Sequence, residues 1–324
     1  MIRERLAIGC VVLLLCAACY QPASDNVGRV VNVNQHALSG HSLSVVSYNL
    51  LHGLGDLLND QTLEARLEMV ILGLVEERPE VVLLQEASVT GGHGNVVDTL
   101  RAELNARLSA DGISYNSTQI APNGSAVIDF FEGPAILSRA QILEMTVHGY
   151  RAQVALPPER RVALRATLRG AGGHLDVIST HLTDQDAREG EEHVRTLQAR
   201  ELVEEIIPNR PAPLPVVVGG DFNAGPGSAT VGAMVGAGFI DVWSAARPDE
   251  PGLTSLSGAI DDPGAQLEER IDFIFLRARA GGVSDAELFL DTPLGATSDE
   301  RNLTLWPSDH LGVLARLLVP RSTP

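Results

Sequence analysis

The chain has 324 residues, of which 44% are apolar, and a formal net charge of −17. This length fits one large α/β domain or two small ones, and this apolar content favours a folded chain. All 24 basic residues are arginine, which excludes chemistry that needs a P-loop, Schiff-base or kinase lysine. The acidic balance also disfavours broad capture of DNA or RNA, because that requires a basic surface.

The N-terminus has the pattern of an export signal. A short basic stretch with Arg3 and Arg5 precedes the apolar run Leu6–Ala18, which is too short to span a bilayer comfortably. The cysteines of the chain are confined to this region, at Cys10, Cys16 and Cys19. The rest of the chain therefore has no disulfide, no thiol nucleophile and no cysteine metal site.

The small residues before Cys19 resemble a bacterial lipobox, in which the cysteine is lipidated and becomes the new N-terminus, although Cys16 stands where leucine is usual. In this interpretation residues 1–18 are a signal peptide, Cys19 carries the lipid, 19–42 form a flexible tether and 43–320 form one domain. We therefore expect an exported lipoprotein of the cell envelope. The alternative is an ordinary signal peptide cut after Ala18, which would give a secreted or periplasmic protein.

Apolar runs and helical spacings alternate along the rest of the chain. The predicted helices are Leu63–Glu77, Val96–Leu108 and Asp184–Ile207. The predicted strands are Leu43–Tyr48, Val81–Leu84, Ser114–Ile120, Ala126–Phe131, Pro134–Leu137, Ile142–Val147, Val162–Leu168, Leu175–Thr180, Leu214–Val218, Ile271–Leu276 and Leu311–Val319. Mixed strands with helices outside them favour an α/β fold of two packed sheets flanked by helices.

Carboxylate, amide and imidazole side chains stand at the ends of the apolar strands. They are Asn49, Glu86, His181, Asp221, Asn223, Asp272, Asp309 and His310. The first four strands of this set precede their polar residues, whereas the last two strands follow theirs. If the last two strands run opposite to the others, all these groups lie at one edge of the sheets, where sites in α/β folds gather.

The residue types indicate metal-assisted chemistry. Glu86 and Asp309 are carboxylates suited to a hard cation such as Mg²⁺ or Mn²⁺, which polarises a phosphoryl oxygen. Asn49 and Asn223 are neutral donors for metal-bound water or phosphate oxygens.

The remaining residues of the set suit proton transfer. His181 and His310 can move protons near neutral pH. Asp272 can hold His310 in the required tautomer, as a carboxylate does in other hydrolytic sites.

These motifs, in this order, resemble the endonuclease/exonuclease/phosphatase superfamily, whose fold is shared with deoxyribonuclease-I-like enzymes. The segments that carry the resemblance are SYNLLHG, LLQEAS, GPAILSR, STHL, GGDFNAGPGS, RIDFIFL and SDHLGV, which span Leu43 to Leu318. The resemblance implies a four-layer α/β sandwich and metal-dependent hydrolysis of phosphoester bonds.

The resemblance also implies a role for each site residue. Asn49, Glu86 and Asp309 match metal-site residues of the family. Asp221 and Asn223 match the pair that positions water and phosphate. Asp272 and His310 match the acid–base pair. Whether His310 or Asp221 accepts the proton of water stays open, as does the number of metal ions.

Several functional alternatives remain. We expect a monomer that acts on a phospholipid, a sphingolipid or a small phosphodiester, with nucleic acid as the less favoured substrate of a secreted endonuclease. A catalytically inactive binding module of the same fold is an alternative of another class. A zinc hydrolase built on His181, His310 and Asp309 has little support, because no HExxH or HxHxD run occurs.

The anchor prediction can be tested in a bacterial host. The full-length protein should partition into the detergent phase, and Cys19→Ser should move it to the soluble or periplasmic fraction, because the acyl chains on that cysteine hold the protein at the membrane. Phase partitioning followed by immunoblotting measures this. Unchanged partitioning of Cys19→Ser would favour the ordinary signal peptide.

Overall fold

A computed structural model of the chain describes residues 28–38, 42–52, 62–126, 128–154, 159–170, 173–185, 188–189, 192–207, 214–262, 264–278, 281–295 and 304–319. The strands in chain order are β1 (Arg29–Val31), β2 (Ser42–Asn49), β3 (Val81–Thr90), β4 (Gly94–Asn95), β5 (Asn116–Gln119), β6 (Asn123–Ser125), β7 (Phe130–Ser138), β8 (Ile142–Gly149), β9 (Val162–Gly170), β10 (Gly173–His181), β11 (Arg188–Glu189), β12 (Glu192–His193), β13 (Val216–Asp221), β14 (Ile240–Asp241), β15 (Asp272–Arg277), β16 (Gly282–Phe289), β17 (Leu294–Gly295), β18 (Thr304–Leu305) and β19 (Gly312–Leu318).

The helices are α1 (Leu63–Glu77), α2 (Val96–Arg107), α3 (Val194–Glu201), α4 (Ala229–Gly236) and α5 (Val242–Ala246). A 3₁₀ turn at Ser109–Asp111 follows α2, and α3 continues into a π-helical turn at Leu202–Ile206. Helix α1 ends at Arg78, which adopts a left-handed conformation with φ of 50° before Pro79. No helix among the described residues is long and apolar enough to cross a membrane.

The strands form two large mixed sheets. The first sheet has the order β1-β5-β7-β3-β2-β19-β16, with β4 and β6 as short additions, and the second has the order β14-β15-β13-β10-β9-β8. Their facing side chains form one apolar core, which includes Val45, Leu83, Leu164 and Val217. The opposite faces are covered by helices, α1 and α2 on the first sheet and α3 and α4 on the second. The result is the expected four-layer α/β sandwich.

The strand directions bring the polar strand ends together, as the sequence pattern requires. Strands β2 and β3 run parallel, and so do β10 and β13. Strand β15 is antiparallel to β13, and β19 is antiparallel to β2. In the second sheet, His181 is paired with Asp221 and Asp221 with Asp272. The ends of two strands and the start of a third therefore meet at one level.

Part of the segment expected to be a flexible tether is packed on the domain. Strand β1 pairs antiparallel with β5 and adds an edge strand to the first sheet. The side chain of Asn32 donates to Ile142 O at 2.8 Å and accepts from Ile142 N at 3.0 Å, and Leu38 N donates to Arg169 O. The ordered domain therefore begins before residue 43. Residues 1–27 and 39–41 lie outside the described part of the chain.

Two predicted elements differ from the structure. The strand predicted at Ala126–Phe131 is partly a turn, with Asp129 at a φ of 48°, and the following strand starts only at Phe130. The helix predicted from Asp184 starts only at Val194, because a short β11–β12 pair precedes it.

Candidate active site

A β-bulge in β3 aims Glu86 into the site. The register of β3 against β7 shifts between Leu84 and Ala87, and Glu86 has a φ of 54°. Bulges and left-handed non-glycine residues of this kind commonly re-aim side chains at functional sites. Asn49, at the end of β2, donates from Nδ2 to Glu86 Oε1 at 3.2 Å. The first sheet thus presents an amide and a carboxylate side by side.

His52 belongs to the site, although the sequence pattern did not single it out. Its backbone N–H donates to Glu86 Oε2 at 3.1 Å, and its ring Nε2 lies 3.6 Å from the same oxygen. The ring also packs edge-on against Phe130, with 5.3 Å between centroids. The only sequence signal for this role is its position three residues after Asn49, in the SYNLLHG motif.

The second sheet contributes His181, Asp221 and Asn223. His181 Nε2 lies 3.3 Å from Asp221 Oδ2 and 3.1 Å from Asn223 Nδ2. Asn223 has a φ of 48°, and its backbone N–H donates to Asp221 Oδ1 at 2.8 Å. Asn49 Nδ2 lies 3.3 Å from Asp221 Oδ2, so Asp221 links the residues of the two sheets.

Asp272 and His310 form a close pair. His310 Nδ1 lies 2.8 Å from Asp272 Oδ2, and His310 Nε2 lies 3.7 Å from Asp221 Oδ2. Thr254 supports this pair, because its hydroxyl accepts from the backbone N–H of Asp272 at 3.2 Å and its carbonyl accepts from Leu311 N at 2.7 Å. The loop that carries Thr254 therefore fixes the backbone on both sides of the pair.

Asp309 lies next to His310 at the start of the last strand. Its Oδ1 lies 4.0 Å from His310 Nε2, and its side chain is 40% exposed. The preceding Ser308 is buried, and its hydroxyl donates to Asn49 O at 2.8 Å. This bond holds the backbone of the Asp309 segment against the end of β2, where Asn49 emerges.

Burial and neighbouring charges separate the proton affinities of the site groups. Burial and, after it, the charge of Asp272 together raise the pKa of Asp221 to about 7. Burial opposes the charged form of His310, but Asp272 and Asp221 outweigh it and hold the pKa of His310 well above its ordinary value. His310 and Asp221 therefore combine a protonated imidazole with a carboxyl that titrates near neutral pH.

His181 has the opposite character. Burial and the charge of Arg161 hold the pKa of His181 well below its ordinary value. A neutral ring can accept the Asn223 amide proton at Nε2 and carry its own proton on Nδ1, which faces Glu86 Oε1 at 3.9 Å. In this state His181 is a neutral hydrogen-bonding partner of Asn223, and its part in proton transfer stays a prediction.

The carboxylates of the first sheet stand under different influences. Burial favours a raised pKa for Glu86, but the charge and the backbone N–H of the nearby His52 lower it below its usual range. Burial raises the pKa of Asp309, which His310 counteracts and the charge of Glu86 reinforces. Glu86 therefore stays ionised, and its negative charge contributes to the raised pKa of Asp309.

Two sets of groups in the site could hold a metal ion. Asp221, Asp272 and His310 have ligand atoms that lie within 4.8 Å of one another. In this set, however, Asp272 Oδ2 and His310 Nδ1 already bind each other. Glu86 and Asp309 are only partly buried and present oxygen donors, which Mg²⁺ and Mn²⁺ prefer. The donor chemistry therefore fits a hard cation best at Asn49, Glu86 and Asp309.

Among the site residues expected from the sequence, two buried polar atoms make no hydrogen bond within the described part of the chain. They are His181 Nδ1 and Asp272 Oδ1. Buried polar groups are normally satisfied, and exceptions in native sites commonly mark places where a substrate, an ion or water is held. The two atoms without a hydrogen-bond partner are therefore consistent with a site that binds a polar ligand, an ion or water.

Arg161 is a second residue that the sequence pattern did not single out. It directly precedes β9 and lies beside Glu159. Arg161 is buried, and its charge acts on Glu86, His181 and Asp221. The site therefore includes a buried guanidinium that could face a phosphate group.

The structure brings all the site residues expected from the sequence to one edge of the two sheets. Asn49 and Glu86 come from the first sheet, and His181, Asp221 and Asp272 from the second. The remaining members, Asn223, Asp309 and His310, lie on the segments that adjoin β13 and β19. Their proximity follows from the fold, and the role of each one stays a prediction.

The charge state of His310 can be measured directly. In metal-free protein at pH 7.5, both ring nitrogens of His310 should carry protons, and Asp272→Asn should lower the pKa of this ring, because the main anionic partner is lost. Nitrogen-15 chemical shifts of the histidine rings report this. Asp176→Asn, which changes a buried aspartate at the other end of β10, should leave His310 unchanged. A neutral His310 at pH 7.5 in the unmodified protein would contradict the assignment.

Comparisons with known proteins agree with the fold and the motifs. The model of the endonuclease/exonuclease/phosphatase family matches residues 46–310. A family protein of known structure from Leptotrichia buccalis C-1013-b superposes with a TM-score of 0.65 at 15% identity, covering 85% of this chain and 99% of that one. No curated protein matches the sequence.

Other solved structures share the fold. A mannosyl-6-phosphatase from Bacteroides thetaiotaomicron VPI-5482 has a TM-score of 0.63 at 18% identity, covering 85% of this chain and 99% of that one. The human Nocturnin catalytic domain with bound sulfate has a TM-score of 0.59 at 20% identity, covering 92% of this chain and 99% of that one. Members of the matched family are hydrolases that act on phosphoesters and generally depend on a divalent metal. The chain belongs to the endonuclease/exonuclease/phosphatase family.

Proposed function

We propose that the protein hydrolyses phosphoester bonds, phosphodiesters in the first place, by metal-assisted attack of water. The observation that carries the proposal is the triad of contacts around Asp221, which lies 3.3 Å from His181 Nε2, 3.3 Å from Asn49 Nδ2 and 3.7 Å from His310 Nε2. An acidic group is thus enclosed by a neutral imidazole, an amide and a second imidazole that is paired with its own carboxylate. This arrangement suits the activation of water beside a phosphate.

Asp221 and His310 divide the proton chemistry in this proposal. Asp221, whose pKa is raised to about 7, accepts the proton of the attacking water. His310, held protonated by Asp272, stabilises the negative charge that develops on the phosphoryl oxygens. Asn223, whose amide nitrogen donates to His181 Nε2 and to Leu182 O, is held rigidly and leaves its Oδ1 to orient the attacking water. The same two groups could also act with their roles exchanged, with His310 accepting the proton of water. The kinetics of Asp221 and His310 variants distinguish the two assignments.

A divalent cation completes the proposed site. Glu86, Asp309 and the side-chain oxygen of Asn49 would hold it, and Mg²⁺ or Mn²⁺ supplies a Lewis acid that polarises the phosphoryl group. The oxygen of the Asn49 amide accepts from Leu51 N at 3.0 Å, which fixes the plane of the amide. A fixed amide and an ionised Glu86 form a preorganised pair of donors.

The metal requirement gives the first test. Protein without residues 1–19 should hydrolyse a generic aryl phosphodiester only with Mg²⁺ or Mn²⁺, and Glu86→Gln should reduce kcat/KM by about 10²-fold or more, because one ligand is lost while the shape is kept. Glu68→Gln is the matched control, because Glu68 lies on α1 and forms a partly exposed ion pair with Arg107 on α2. Full activity in excess EDTA would contradict the proposal.

We further propose that the substrate is a phospholipid, a sphingolipid or a small phosphodiester. The chain carries a net charge of −17 and has no lysine, so a polyanionic duplex is repelled at long range. Export and a lipid anchor at Cys19, which remain proposals, would place the enzyme where lipid head groups and small phosphoesters are concentrated. The buried Arg161 could bind one phosphate group without a wide basic surface.

The substrate proposal predicts an order of activities. A choline-phosphate lipid or a small aryl phosphodiester should be turned over with a higher kcat/KM per bond than plasmid DNA at moderate salt, because the acidic surface opposes the polyanion. Initial rates with the same enzyme preparation, with Glu86→Gln as the blank, provide the comparison. Rapid plasmid nicking at nanomolar enzyme with no lipid turnover would promote the secreted-nuclease alternative.

A further inference from the structure

We propose that Arg66 is a positioning residue that sets the divalent-cation affinity of the site. Arg66 lies on α1 and is buried, with only 2% of its surface exposed. A buried guanidinium is costly unless its donors are satisfied, so its partners reveal what it does. The inference rests on the proposed metal site at Asn49, Glu86 and Asp309.

Arg66 binds backbone carbonyls of the two loops that carry cation-binding candidates. Its Nη1 donates to Leu50 O at 2.9 Å, to Leu51 O at 3.0 Å and to Pro307 O at 3.2 Å. Leu50 and Leu51 follow Asn49 directly, and Pro307 precedes Asp309 by two residues. One guanidinium nitrogen therefore ties the exit of β2 to the segment that enters β19.

The backbone at this junction needs such support. Leu51 has a φ of 50°, a left-handed conformation that is strained for a residue with a β-carbon. The N–H of Leu51 donates to Asn49 Oδ1, so the conformation of Leu51 sets the orientation of the Asn49 amide. By binding the carbonyls of Leu50 and Leu51, Arg66 stabilises the conformation that holds the amide oxygen in place.

Arginine suits this position better than lysine. Its Nε donates to Thr62 Oγ1 at 3.2 Å, at the residue that precedes α1, while Nη1 reaches the loops. The planar fork thus fixes the loops relative to the start of a helix that packs on the first sheet. A lysine at this position would keep the charge but lose the fork.

Arg195 provides a contrast in the other half of the fold. It lies on α3, donates from Nη1 to Asn223 O, and donates from Nη2 to the carbonyls of Asp184 and Gln185 at 3.1 Å each. It is thus an arginine of the same kind, bound to backbone next to Asn223 rather than to the loops of Asn49 and Asp309. Loss of Arg195 should disturb catalysis but leave cation affinity unchanged.

The test measures Mn²⁺ binding without substrate. Paramagnetic resonance of free Mn²⁺, titrated into protein without residues 1–19, gives the Kd of the unmodified protein, Arg66→Lys, Arg66→Met and Arg195→Met. We expect Arg66→Met to weaken binding by about 10- to 100-fold, as loss of a group that orients metal ligands does, and Arg66→Lys to weaken it less. Higher Mn²⁺ should restore part of the lost kcat of both Arg66 variants.

A second control separates position from stability. Leu74→Ala removes a fully buried side chain from the same helix, far from both loops, and should lower Tm without changing the Mn²⁺ Kd. If Arg66→Lys and Arg66→Met bind Mn²⁺ as the unmodified protein does, the inference is wrong. It is also wrong if Leu74→Ala or Arg195→Met weakens binding as much as Arg66→Met.

The proposed function can fail separately from this inference. Glu86→Gln is titrated in the same experiment. If the unmodified protein binds no Mn²⁺, or if Glu86→Gln binds it as tightly as the unmodified protein, the proposed metal site is wrong and Arg66 has nothing to position. Loss of binding in Glu86→Gln together with full binding in the Arg66 variants refutes the role of Arg66 alone.

Discussion

The site depends on a close contact between the two sheets directly beneath it. Ser179 of β10 donates to Leu84 O of β3 at 2.7 Å and accepts from Gln85 Nε2 at 3.1 Å. A β-carbon on Gly219 would lie 2.6 Å from a methyl group of Leu83 and 3.0 Å from Ser47 Oγ, so a larger residue there would push side chains of the first sheet aside. This contact fixes the level at which the polar strand ends of one sheet face those of the other.

Burial then gives these groups their chemistry. In water, several carboxylates and imidazoles at such distances would interact weakly, but burial strengthens each interaction and penalises every uncompensated charge. Asp272 faces His310 and compensates its charge, whereas Asp221 faces a neutral His181 and another carboxylate. The same burial therefore produces one group that keeps its proton and another that can lose it near neutral pH.

The sequence predicted the central strands, α1, α2 and the polar strand ends, because these depend on local periodicity and on residue type, but it missed β16, α4 and α5. It missed groups whose role depends on distant contacts. Arg66 lies in an amphipathic helix and Arg161 in an arginine-rich strand start, and neither position has a spacing that points to the site. It also misplaced the start of α3, because the short β11–β12 pair occupies the segment where the helix was expected to begin.

The run Ser308-Asp309-His310 joins the two halves of the chemistry. Asp309 comes under the charge of Glu86, while the adjacent His310 pairs with Asp272. Ser308 binds the backbone at Asn49, so the spacing between the cation candidates and the acid–base pair is set by one short segment. A shift of this segment would displace the cation candidates and the acid–base pair together. Arg66 on α1 opposes such a shift, because it binds the carbonyl of Pro307 just before the segment.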